Sequence, residues 1–345
     1  MKAVVLREGS QWALEDVSSP QPGADEVCLR LVRTGICGTD EHLLHGGLIA
    51  TFPLIPGHEM IGEIDAHGDG VSFPPIGELV AVDNTIFCGE CRPYLSGKPL
   101  FCRDFTSLGC NAPGGFAEHV VVRAAKCYPL DGLDPDVALL AEPTACAVHG
   151  VDTLALRPMS DVLIFGAGPT GLILLQLIQM AGATRVTVVA PIESKLVLAK
   201  SFGATHVIGA DRANPGAVAE RLREIAPDGF DAVVVAAGSI GVFEVAMEHV
   251  AAGGTLLVYG LAPDDAYARI SPYEVFKREF TIKGSFAQAH CRGRALMALR
   301  SGRIKTEGIV TDMVGFDDFG RALSNLKDSS QIMTVVDPTL ELNLS

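Results

Sequence analysis

The chain has 345 residues, 41 of them acidic against 27 basic, for a formal net charge of -14. With no block of lysine or arginine to meet phosphates, that balance argues against nucleic acid or an anionic membrane surface as partner and for a small molecule. The length favours two domains, each able to bury its own core, and nine cysteines, odd in number and unevenly spread, read as metal ligands and buried thiols rather than a disulfide framework.

The first residues, MKAVVLREGSQW, lack the long apolar core of a secretion signal, and the most apolar stretch, LILLQLIQMA, is too short and too polar to cross a bilayer. A cytoplasmic protein is expected. In the first part of the chain, Gly and Pro punctuate short alternating runs, VCLRLV, ELVAV and AEHVVV, which predict the strands of a mainly β domain with little helix. From Asp161 the rhythm becomes strand, glycine turn, amphipathic helix: DVLIFGAGPTG, LILLQLIQMAGA, RVTVVA, ESKLVLAKSFGA, HVIGA. That alternation predicts a doubly wound α/β domain with a parallel sheet.

Further strands are predicted at DAVVVAAG, TLLVYG and FTIKGSF, with a helix over FEVAMEHVAAGG. The remainder, with a helical RGRALMALRSG and a strand-like IMTVVD, carries no cofactor motif and is expected to return to the first domain. The predicted boundaries are 1–152, 153–286 and 287–345. No internal repeat is visible.

Gly166, Gly168 and Gly171 form G-x-G-x-x-G between a buried strand and a helix. There, glycines allow a tight turn and let a pyrophosphate approach a helix N-terminus. Pro169 and Thr170 complete the turn, and Gly238, Gly260 and Leu261, after two later strands, are further cofactor-binding candidates. An NAD-type fingerprint ends its second strand in an acid that binds the ribose, yet here Ala190, Pro191 and Ile192 follow RVTVV. Glu193 comes three residues late, whereas Ser194 and Lys195 are placed to meet a 2'-phosphate, so NADP is favoured over NAD.

In the first domain Cys37 opens CGTDEH, His58 sits in PGHE, and Glu142 follows in AEPTACAVHG. Each alone has an ordinary structural reading: a buried thiol, a core histidine, a solvated carboxylate. A thiolate, an imidazole and a carboxylate from separate loops are together what a catalytic zinc needs, with one position left for water or substrate.

These segments, with the CGEC loop, GGFAEHV, GAGPTG and IKGSFA in the same order, resemble the zinc-containing medium-chain dehydrogenases along essentially the whole chain. The resemblance implies a GroES-like catalytic domain, a Rossmann domain inserted after it, and a C-terminal return. It implies a metal shell of Cys37 and His58, completed by Glu59 or Glu142, with Asp40 behind the ring of His58. It also implies catalytic roles for Thr39, which accepts the alcohol proton, for His42, which relays it to solvent, and for Glu59.

The reaction expected from the resemblance is hydride transfer between a secondary alcohol carbon of a polyol or sugar alcohol and NAD(P), in a homo-oligomer, a tetramer, joined through edge strands near TLLVYG and FTIKGSF. Rival readings are a sugar dehydrogenase acting at the anomeric carbon, a simple secondary-alcohol dehydrogenase, and a cofactor-binding sensor that has lost catalysis. The joint presence of Cys37, Thr39, His58 and Glu142 speaks against the sensor. Sorbitol dehydrogenases carry an arginine-tyrosine pair where this chain has Ala287 and Gln288, so Gln288 becomes a candidate partner for the hydroxyls of a different polyol.

The segment CGECRPYLSGKPLFC resembles the structural-zinc lobe of that family, which has four cysteines. Cys88, Cys91 and Cys102 fit, but Tyr94 stands at the third position, so a closed tetrahedral site lacks a thiolate. Either water or a nearby acid such as Glu90 or Asp104 joins the three thiolates, or the loop packs metal-free around Tyr94. One zinc per chain is expected.

Overall fold

The computed structural model describes residues 1–210, 215–328 and 330–340. They fall into two compact units: Met1–Ala145 with Gln288–Gly302 and the segment from Thr306, and Cys146–Ala287 with Arg303–Lys305. The division falls inside the helix Ala141–Leu154.

The first unit is built on a seven-stranded sheet whose centre is the long strand Glu26–Ile36. On one side it pairs antiparallel with Glu59–His67, which leads on to Leu79–Val82 and Cys127–Pro129. Its other edge is shared by His119–Arg123, opposite Glu26 to Arg30, and Met333–Val336, opposite Thr34 to Ile36. Alternation decides which side chains go inside: Val27, Leu29 and Leu31 meet Met60, Ile64, Val80 and Val82 in one core. A second core gathers Val4, Ile36, Phe116 and Phe319, with Trp12 and Phe116 both edge-on to the Phe319 ring. The helix Arg292–Arg300 and the strand Met333–Val336 put the C-terminal segments in this unit.

The second unit is a parallel sheet of six strands in the order His206–Gly209, Arg185–Ala190, Asp161–Phe165, Phe230–Val235, Val250–Val258, Thr281–Gly284. This is the Rossmann order, with the chain reversing direction across the sheet beside Asp161–Phe165. Leu163, Val233 and Leu256 are fully buried, as expected of strands covered on both faces. The predicted helix over FEVAMEHVAAGG is shorter, Ile240–Glu248, because the glycine-rich end joins the strand Val250–Val258. The sequence reading had no counterpart for the helix Pro215–Ile225.

A buried polar hub ties the C-terminal return to the first sheet. Asp83, 1% exposed, accepts from Thr85 N (3.1 Å), Thr85 Oγ1 (2.8 Å), Lys126 Nζ (2.8 Å) and Gln288 Nε2 (2.7 Å). Gln288 Oε1 in turn accepts from the Cys291 amide at 3.3 Å, and Arg292 Nη2 donates to Asn84 Oδ1 at 3.3 Å. Gln288 is completely buried and its amide is committed to Asp83, which corrects its reading as a partner for substrate hydroxyls.

Burial alone pushes the Asp83 carboxyl up, but the charges of Arg292 and Lys126 outweigh it and hold the group below its ordinary range. Its stabilising contribution is therefore complete above the unfolded carboxyl value, about 4, and is lost as pH falls through the lower folded value. Asp83→Asn removes the countercharge from buried Arg292 and half-buried Lys126 and is expected to destabilise the protein by about 3–5 kcal/mol at neutral pH. In urea unfolding, the gap between wild type and variant should narrow below about pH 4; a gap independent of pH would contradict the assignment.

Candidate active site

Cys37 leaves the end of the strand Glu26–Ile36, while His58 and Glu59 lead into the partner strand Glu59–His67. The antiparallel register sets Gly35 opposite Glu59, so the two ends meet. Cys37 then caps the short helix Gly38–Leu44: its sulfur accepts from the Thr39 amide at 3.3 Å, and Asp40 Oδ2 accepts from the Cys37 amide at 3.0 Å.

The ligand atoms of Cys37, His58 and Glu59 lie within 4.8 Å of one another, with Cys37 Sγ 3.4 Å from His58 Nε2. Glu142, buried near the start of the helix Ala141–Leu154, stands outside this group, although its charge acts on Glu59. Asp40 Oδ1 lies 3.7 Å from His58 Nδ1, facing the ring from behind. Thr39 and His42 are carried half-buried on the same short helix, one turn apart.

The chemistry of these groups fits a divalent cation. Asp40 Oδ1, His58 Nδ1 and Glu59 Oε2 are buried without a hydrogen-bond partner. Burial, followed by the charge of Glu142, pushes the Glu59 carboxyl up to about 8, and burial raises the Cys37 thiol. Groups whose charged form is disfavoured by burial hold protons that a bound metal would displace.

Two contributors escaped the sequence reading. Gly35 is one: a Cβ there would overlap Glu59 Oε2 and the Met333 methyl, so the carboxylate lies across the bare backbone. The other is Arg292, 1% exposed, whose charge bears on both Glu59 and Asp83. The residue pattern signals neither, because neither is itself a donor to the metal.

In the second unit, Gly166 follows the strand Asp161–Phe165 at φ 116°, and Gly168 caps the helix Pro169–Met180, with Thr170 and Gly171 in its first turn. A Cβ at Gly171 would strike the Gly166 carbonyl, one at Gly238 the Leu261 carbonyl, and one at Gly260 the backbone of Ala237. These glycines therefore permit close backbone packing at the carboxyl ends of the strands, where open α/β sheets bind nucleotides. Ala190 ends its strand buried. Exposed Ser194 and half-buried Lys195 begin the next helix, Glu193–Ser201.

Residues 23–132 match the alcohol dehydrogenase GroES-like domain family and residues 169–301 the zinc-binding dehydrogenase family. The chain is 39% identical to D-arabinitol dehydrogenase 1 of Uromyces fabae over 98% of this chain and 97% of that one. It is 28% identical to L-threonine 3-dehydrogenase of Mesorhizobium japonicum, over 98% of both. A Sinorhizobium meliloti 1021 protein described as a zinc-binding dehydrogenase and solved bound to NADP superposes with a TM-score of 0.91 at 31% identity, over 98% of this chain and 99% of that one. The chain belongs to the zinc-dependent medium-chain alcohol dehydrogenase family. It is an enzyme, a zinc-dependent dehydrogenase linked to NAD(P), which sets aside the reading as a sensor without catalysis.

If Gly35 is bare in order to seat Glu59, Gly35→Ala should leave a folded protein that loses zinc about 10–100-fold more readily to a chelator. Elemental analysis after graded chelation, beside thermal unfolding of the same samples, checks this. Equal zinc retention in a folded variant would contradict it.

Proposed function

We propose that the protein is a polyol dehydrogenase that oxidises a secondary alcohol carbon of a sugar alcohol, with one catalytic zinc held by Cys37, His58 and Glu59. The observation that carries this reading is the convergence of those three ligand atoms within 4.8 Å on a strand pair. Similarity to a D-arabinitol dehydrogenase over nearly the full length of both chains supports the substrate class. Glu142 then acts on the shell through its charge, and Asp40 fixes the ring of His58.

Zinc bound there supplies Lewis acidity that lets the substrate hydroxyl give up its proton near neutral pH. The Thr39 hydroxyl receives that proton, and His42, a turn along the same helix, passes it to solvent. NAD(P), bound in the second unit, would supply the acceptor for the hydride of the adjacent carbon. Gly166, Gly168, Pro169, Thr170 and Gly171 hold the pyrophosphate, with Gly238, Gly260 and Leu261 beside it. Ser194 and Lys195 would receive the 2'-phosphate of NADP, since Ala190 offers no charge to repel it.

The deciding experiment assays pentitols, hexitols and simple secondary alcohols with NAD and NADP separately. A pentitol should give the highest kcat/KM, and NADP should serve at least as well as NAD. Cys37→Ser should abolish turnover while nucleotide still binds. Ala190→Asp should move the preference towards NAD by about 1–3 kcal/mol. Better turnover of simple alcohols than of every polyol would overturn the substrate class, and a clear wild-type preference for NAD would return the ribose contact to Glu193.

A cytoplasmic homotetramer is part of the same proposal. Thr281–Gly284 forms an open edge of the parallel sheet, and Tyr267, Tyr273 and Phe276 expose large rings nearby in sequence. No helix among the described residues is long and apolar enough to cross a membrane. Sedimentation velocity should give a tetramer; a monomer at working concentration would end this part of the reading.

A further inference from the structure

We propose that the loop from Cys88 to Cys102 is a three-thiolate site, open at its fourth position, that reversibly takes a thiophilic divalent cation bringing its own fourth ligand. The ligand class is a soft d10 ion such as Cd2+ or Zn2+, completed by water, chloride or a small thiol.

The three sulfurs lie within 4.8 Å of one another, and those of Cys88 and Cys102 are 3.4 Å apart. An ion bound at about 2.3 Å to each sulfur sets them roughly 3.8–4.0 Å from one another, which small side-chain rotations reach from here. Each sulfur also faces backbone N–H groups. The Cys88 amide donates to Cys102 Sγ and the Cys91 amide to Cys88 Sγ, both at 3.3 Å, and the amides of Tyr94 and Arg103 point at the sulfur of Cys91. Amide donors of this kind favour anionic sulfur. A thiol buried only for packing behaves otherwise: Cys127, in the core of the sheet, directs its S–H at the Arg123 carbonyl and burial pushes it up to about 12.

The fourth thiolate is missing because Tyr94 stands at its place in the sequence. Tyr94 lies with its ring 6.1 Å from that of Phe87, which also meets Phe105 at 5.8 Å and His290 at 5.9 Å. These rings anchor the loop by packing, so no ion is required to fold it. Among the described residues no histidine or acid joins the three cysteines within ligand distance; Asp104 is exposed and pairs instead with Arg103. Among the described residues neither Glu90 nor Asp104 stands in for the missing thiolate, and a closed structural zinc does not fit.

The test uses the full-length enzyme carrying its catalytic zinc. Titrated with Cd2+, wild type should bind one further equivalent, develop a sulfur-to-cadmium charge-transfer band, and lose both on dialysis against a chelator. Cys91→Ser should lose that equivalent and its band. Tyr94→Cys, which supplies a fourth thiolate, should turn the reversible site into a second zinc that survives the chelator, raising the retained metal from one to two per chain. The proposal is overturned if wild type keeps two zincs through the dialysis, or if Cys91→Ser binds the additional Cd2+ as wild type does. Should Tyr94→Cys fail to fold, the comparison of wild type with Cys91→Ser decides alone.

Discussion

The register between two antiparallel strands, with Gly35 opposite Glu59, is the constraint on which the active site depends. Cys37 lies two residues beyond one member of that pair and His58 one residue before the other. Because side chains alternate along a strand, a slip of one residue would turn Glu59 to the opposite face and carry His58 past Cys37. The strand Glu26–Ile36 is protected from such a slip on both edges. His119–Arg123 grips its first half and Met333–Val336 its last residues, while Glu59–His67 runs along the other side. The chain's distant C-terminal segment thus helps fix Cys37 relative to His58 by pinning the strand that leads to it.

The second organising force is the cost of burying charge. Asp40, Glu59, Glu142 and Cys37 crowd together with little water, and burial with mutual repulsion raises the proton affinity of Glu59 and Cys37. Arg292 offsets part of this from one side while also serving Asp83, and a divalent cation at the ligand atoms offsets far more. Metal binding is consequently coupled to release of protons from the shell and adds to the stability of the fold.

Much of this was legible in the sequence, for identifiable reasons. The parallel sheet showed itself because strands buried on both faces read as continuous apolar runs, and its glycine turn because only glycine satisfies the positive φ at Gly166 and the close packing at Gly171. The metal cysteine and histidine stood out as residue types with few other uses in those contexts. The helix Gly38–Leu44 did not, being seven residues long and capped by a cysteine, a residue with no strong capping preference. Gln288 was misjudged because a sequence does not reveal which polar side chain turns inward to satisfy a buried acid. For the same reason the sequence left Glu59 and Glu142 as alternatives, and of the two it is Glu59 whose ligand atom lies within 4.8 Å of those of Cys37 and His58.

The two cysteine groups differ in what stands behind them, and this explains why one has lost a ligand position and the other has kept its set. At the active site the donors are fixed by strand ends and a helix cap, and deleting one leaves buried carboxyl and imidazole groups without the charge that balances them. In the loop, the sulfurs are satisfied by the amides of their own turns, and the residue in place of a fourth cysteine, Tyr94, sets its ring beside Phe87. A half-buried tyrosine there offers ring packing in place of metal coordination, and needs no ion to do so. The fold can therefore dispense with a closed metal site in the loop, whereas beside Cys37 the buried polar atoms of Asp40, His58 and Glu59 are left without a partner.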